Sequence, residues 1–110
     1  MKTKKNVIIS ILSLSLIIIT SLNAFAAPDI YTHQTVSNGK VTAYIQCWDD
    51  EKVALQITFY NENGSRLGYK YDMGKEKAGI KNASKSGWSY AVIDYYHSGD
   101  HYKDKTVYNN

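Results

Sequence analysis

One stretch of histidines and acids, one acidic turn, one cysteine and a crowd of aromatic side chains hold most of the side-chain chemistry this chain has to offer. His97-x-x-x-His101 carries two imidazoles four positions apart, with Asp94, Asp100 and Asp104 around them. Imidazole nitrogens and carboxylates are zinc ligands, and on a helix that spacing brings both rings to one face. Ser98-Gly99 lies between them, however, and that pair is turn chemistry, so a solvated hairpin tip is expected there. Asp49-Asp50-Glu51 offers the carboxylates that hard cations favour, but these also sit at a turn, where acids are normally hydrated. Neither stretch predicts a metal site, and no cofactor is expected.

Cys47 is the only cysteine, which excludes an intramolecular disulfide. It shares strand phase with Val41, Ala43 and Ile45, so it is expected on a core face as a small hydrophobe. Pairing it with His33 for nucleophilic catalysis would ignore that phase. The chain also lacks G-x-S-x-G and H-E-x-x-H. No enzyme activity is expected.

Tyrosine is the compositional outlier, with ten in the chain beside two tryptophans. Trp88, Tyr90, Tyr95, Tyr96 and Tyr102 crowd one region, and Tyr69 and Tyr71 share a strand face. Exposed, such rings form an amphipathic surface suited to stacking on sugars or docking a protein. Buried, they build the core of a domain poor in Leu and Phe. The expected contact surface is Trp88, Tyr90, Tyr95, Tyr96 and Tyr102, and its expected partner is a protein or carbohydrate ligand at the cell surface.

The elements that position these residues alternate with period two, and the punctuation between them is turn-like. Strands are predicted over 30–36, 40–48, 52–60, 66–71, 88–96 and 102–108, with 77–82 a short strand or irregular edge. Asn38-Gly39 and Asn61-Glu62-Asn63-Gly64 are hairpin signals, because Asn and Gly accept positive φ. Residues 52–60 alternate most cleanly, with Val53, Leu55, Ile57 and Phe59 on one face and Ala54, Gln56, Thr58 and Tyr60 on the other. Six or seven short strands with tight turns predict an all-β fold, a small antiparallel β-sandwich in a single domain over 27–110.

Residues 1–26 read as a secretory signal peptide that is cleaved. Lys2, Lys4 and Lys5 precede an apolar run, and Ala24-Phe25-Ala26 has small side chains where a signal peptidase requires them. Of thirteen Lys and Arg, those three lie in the leader, leaving ten against ten Asp and Glu. The basic character therefore belongs to the leader, and nucleic-acid binding is excluded as an expectation. With the leader removed, no stable membrane insertion is expected. The predicted destination is extracellular, and the Lys, Asn and Ile bias suggests a low-GC Gram-positive bacterium.

Val92-Ile-Asp-Tyr95-Tyr96-His97-Ser98-Gly-Asp-His101, followed by Thr106-Val107-Tyr-Asn109-Asn110, resembles a stretch of the lactococcin-972-type secreted bacteriocins. The resemblance covers fewer than a fifth of the residues and is displaced, lying early in that family's mature chain. It implies a small exported β-sandwich that engages lipid II and blocks cell-wall synthesis. The leading expectation remains a secreted, non-enzymatic binding or interaction module at the cell envelope or outside the cell; the alternative is a bacteriocin-like effector.

Overall fold

Seven strands form, five of them within about two residues of where the apolar alternation and turn residues place them: β1 (Ile30–Ser37), β2 (Lys40–Cys47), β3 (Lys52–Tyr60), β4 (Arg66–Lys75), β5 (Lys77–Ala83), β6 (Tyr90–His97) and β7 (Asp100–Tyr108). They come from a computed structural model that describes residues 29–110. The predicted leader and its Ala26 boundary lie outside the described residues. Asn38 and Gly39, at φ 53° and 72°, turn β1 into β2, as the Asn-Gly pair requires. Ser98 and Gly99, at φ 52° and 86°, do the same between β6 and β7.

All pairings are antiparallel, in a three-stranded sheet ordered β1-β2-β5 and a four-stranded sheet ordered β4-β3-β6-β7. The links β2–β3 and β5–β6 cross from the first sheet to the second, and β4–β5 crosses back. The chain is thus an all-β sandwich, as expected. Segment 77–82 is a full strand, because β5 completes the hydrogen bonding of β2. β4 runs past its expected end because its pairing with β3 continues to Lys52 opposite Lys75.

Val41, Ala43, Ile45 and Cys47 of β2 face Val53, Leu55, Ile57 and Phe59 of β3 and Ala91, Ile93 and Tyr95 of β6 across the core. Each end of the sandwich is closed differently. At one, Trp88 plugs the opening: its indole Nε1–H donates to the Gly39 carbonyl (2.9 Å), and its ring meets Phe59 edge-on at 5.3 Å. The Asn109 amide donates to the Trp88 carbonyl (2.9 Å) and fastens the end of β7 there. At the other end Glu76 joins two crossovers. Its carbonyl accepts from the Cys47 N–H, its N–H donates to the Glu51 carbonyl, and its carboxylate accepts from the Asp50 N–H at 2.7 Å.

Candidate functional site

The face of β3 that turns away from the core carries Ala54, Gln56, Thr58 and Tyr60, and its two neighbours decide what surrounds them. Cross-strand register produces four rows over the outer face of the four-stranded sheet. Met73, Ala54, Tyr96 and His101 form the first, and Tyr71, Gln56, Asp94 and Asp104 the second. Tyr69, Thr58, Val92 and Thr106 follow, then Arg66, Tyr60, Tyr90 and Tyr108. Ala54, Gln56 and Thr58 thus run along β3 between Met73, Tyr71 and Tyr69 of β4 on one side and Tyr96, Asp94 and Val92 of β6 on the other.

The consequence is a trough of about 190 Å³ floored by Ala54 and Gln56, with Tyr71 and Met73 on one wall and Tyr96 on the other. Ala54 is only 6% exposed and Thr58 only 5%, although both point outward, because the taller neighbours cover them. Tyr71 and Met73 stand 52% and 53% exposed. The Gln56 amide donates to Thr58 Oγ1 (3.3 Å), which orients it along the floor. Beyond Tyr96, His101 packs edge-on at 5.4 Å and bonds Asp94 at 3.1 Å. Partial burial and the negative charge of Asp94 push the Tyr96 phenol above its ordinary range, so it is a neutral donor and acceptor. At the far end of the face Tyr60 stacks on Tyr90 at 5.0 Å, and Tyr108 tilts against Tyr90 at 6.4 Å.

The five aromatic residues expected from sequence to form one contact surface do not stay together. Tyr90 and Tyr96 lie on the outer face. Tyr95 is fully buried and Trp88 is 6% exposed, so both belong to the core and end plug, not to a contact surface. The reason is strand phase: Tyr95 alternates with Ala91 and Ile93, which point inward, whereas Tyr90 and Tyr96 take the other phase. Tyr102 is the extra residue at the β7 bulge, so β7 sets His101 opposite Tyr96. Lys103 reaches over the Tyr102 ring at 5.8 Å. Sequence reasoning left Tyr69, Tyr71 and Met73 out of the site. Their phase was legible in the alternation of β4, but not that β6 would flank β3 on the other side.

The two histidines also separate. His101 joins Asp94 and Asp104 on the outer face, whereas His97 bonds Asp49 Oδ2 (2.7 Å) at the sheet-crossing end and shares a group with Cys47. Cys47 is buried on the core face as expected from its phase. His97 Nε2 is held by Asp49, and the enclosed Cys47 thiol lies 3.6 Å from the Glu51 carbonyl. A smaller aromatic patch, Tyr31, His33 and Tyr44, lies on the outer face of the three-stranded sheet, with ring centroids 5.4–6.3 Å apart.

No protein-family model matches the chain, and no curated protein or solved structure resembles it closely enough to count as a match.

Proposed function

We propose that the protein is a non-enzymatic binding module that works at the cell envelope or outside the cell, and that it grips a glycan polymer on the outer face of its four-stranded sheet. The observation that supports this reading is the Ala54–Gln56 trough between Tyr71, Met73 and Tyr96. Apolar ring faces suit the C–H faces of a sugar, while Gln56, Asp94 and the Tyr96 hydroxyl offer donors and acceptors to its hydroxyls. At about 190 Å³ the trough is smaller than the 300–1,000 Å³ typical of a whole small-molecule site. It suits one ring of an extended ligand, the rest of which would lie along the exposed rows. Action outside the cell rests on the leader read over 1–26.

The test is retention of the purified protein by insoluble cell-wall polysaccharide. Tyr71→Ala and Tyr96→Ala are each expected to weaken retention at least about tenfold, as removal of a ring at the centre of a contact does. Their thermal midpoints should stay near that of the parent, and Tyr31→Ala on the opposite sheet should bind normally. Retention unchanged in the Tyr71/Tyr96 double variant would sink the proposal. The bacteriocin-like alternative uses the same β6–β7 hairpin, where its resemblance lies. Growth inhibition of related bacteria without polysaccharide retention would favour it, and capture of a protein partner through Tyr71 and Tyr96 would replace the glycan with a protein ligand.

A further inference from the structure

Two separate pieces of chain deliver a thiol, a carboxylate and an imidazole to one point at the sheet-crossing end. Cys47 is the last residue of β2, Asp49 lies in the link to β3, and His97 is the last residue of β6. One donor atom from each lies within 4.8 Å of the other two. We propose that Cys47 Sγ, Asp49 Oδ2 and His97 Nε2 form a binding site for a single transition-metal ion of the zinc type. This inference is independent of the glycan-binding reading.

Zinc bonds of about 2.3 Å to sulfur and 2.0–2.2 Å to nitrogen and oxygen, at tetrahedral angles, put ligand atoms roughly 3.3–3.6 Å apart. The three donors lie within 4.8 Å of one another, so holding an ion requires Asp49 Oδ2 and His97 Nε2 to part from their 2.7 Å hydrogen bond and the thiol to draw in by up to about 1.2 Å, a shift that side-chain rotation supplies. A thiolate, an imidazole and a carboxylate together select zinc or copper over magnesium and calcium, which prefer all-oxygen sets. Cys47 is enclosed, the His97 side chain is 16% exposed and that of Asp49 is 35% exposed, so the site is sheltered and approached from the Asp49 side. Glu51 adjoins it: its carbonyl lies 3.6 Å from Sγ, and its carboxylate is held by the Ser98 hydroxyl at 2.7 Å. That residue or a water completes the coordination.

The surroundings favour this triad over the only other comparable group among the described residues. Asp94, His101 and Asp104 contain no sulfur, and the imidazole there is 46% exposed with one carboxylate 3.9 Å away, an ordinary surface ion pair open to water. Backbone bonds already fix the ligand-bearing segments: Cys47 N–H to Glu76, Glu76 N–H to Glu51, and Ser98 N–H to Lys52. An ion placed there would join the β2–β3 link to the end of β6, adding a cross-link to a small domain that has no disulfide.

The test uses the purified, chelator-treated protein titrated with Zn²⁺ by calorimetry, and with Co²⁺ by absorption spectroscopy. One equivalent of Zn²⁺ is expected to bind and raise the thermal midpoint, and Co²⁺ should produce a thiolate-to-metal charge-transfer band in the near ultraviolet. Cys47→Ser should abolish that band, and His97→Gln, which keeps the fold if the thiol site does not tolerate change, should weaken binding at least about 100-fold. Asp94→Asn with His101→Gln should leave both readouts intact. Absence of saturable binding, retention of one-to-one binding in both Cys47→Ser and His97→Gln, or its loss in the Asp94/His101 variant would each overturn the assignment.

Discussion

Replacing Tyr95 by alanine is expected to lower the unfolding free energy by about 3–5 kcal/mol, the range for emptying a large aromatic site in a packed core. The ring is fully buried between the sheets, and its hydroxyl donates to Gln34 Oε1 at 2.7 Å on β1. A domain of this class has only about 5–15 kcal/mol in total, so the loss removes a large share of it and should lower the thermal midpoint by at least about 10 °C. Urea denaturation followed by circular dichroism measures it; a loss under about 1 kcal/mol would place Tyr95 on the surface after all.

Tyr95→Phe keeps the ring and removes the hydroxyl, leaving the Gln34 oxygen without that donor, for an expected loss of about 1–2 kcal/mol at neutral pH. The same pair of proteins reads out a pH effect. Burial pushes the Tyr95 phenol far above its ordinary value, so the folded state holds the proton more tightly than the unfolded chain does. The sign follows from linkage: this contribution is complete below about pH 10, where the unfolded tyrosine is neutral, and drains away as the pH rises above that. The parent should therefore lose stability more steeply above pH 10 than Tyr95→Phe. Equal slopes would contradict a buried phenol.

Gly74→Ala is the second large effect, and its sign is the point. Gly74 has no positive φ, so adding a methyl there would ordinarily stabilise a strand by restricting the unfolded chain, by about 0.4–1 kcal/mol. Here a Cβ would run into the Lys77 carbonyl oxygen, where β4 turns through Glu76 into β5. Both partners are main chain, so no flexible side chain can give way. The corner that carries the Glu76 hydrogen bonds to Asp50 and Glu51 would have to move. A loss of about 2–3 kcal/mol is expected, in the range of core overpacking. Gly87→Ala is the contrast: its φ of +79° strains alanine, but nothing lies within 4 Å, so a loss of only about 1 kcal/mol should follow. If Gly74→Ala raises the thermal midpoint, the two strands do not meet this closely.

Much of the architecture was legible because it is written locally. Alternation in residues 52–60 named both faces of β3, and phase alone put Cys47 in the core. Asn38-Gly39 and Ser98-Gly99 announced their turns through the positive φ values that Asn, Ser and Gly tolerate. Phase within β6 also contained the answer for Tyr95, which alternates with Ala91 and Ile93. Reading the tyrosines as a cluster obscured it, because Tyr95 and its neighbour Tyr96 face opposite sides of one sheet.

By itself, then, the sequence determined the β class, the Asn-Gly and Ser-Gly turns and the two faces of each regular strand, since these depend on neighbours one to four residues away, whereas the corner at Glu76 came only with the pairing of β4 and β3. It also carries an apolar stretch behind Lys2, Lys4 and Lys5, on which the proposal of export rests. Only the tertiary structure decided that β4 and β6 flank β3, setting Met73 and Tyr71 across Ala54 and Gln56 from Tyr96 and Asp94, and that Cys47 and Asp49 meet His97 from some fifty positions away. Strand order depends on how two whole sheets bury their apolar faces against each other, a property of the complete chain that no local window contains.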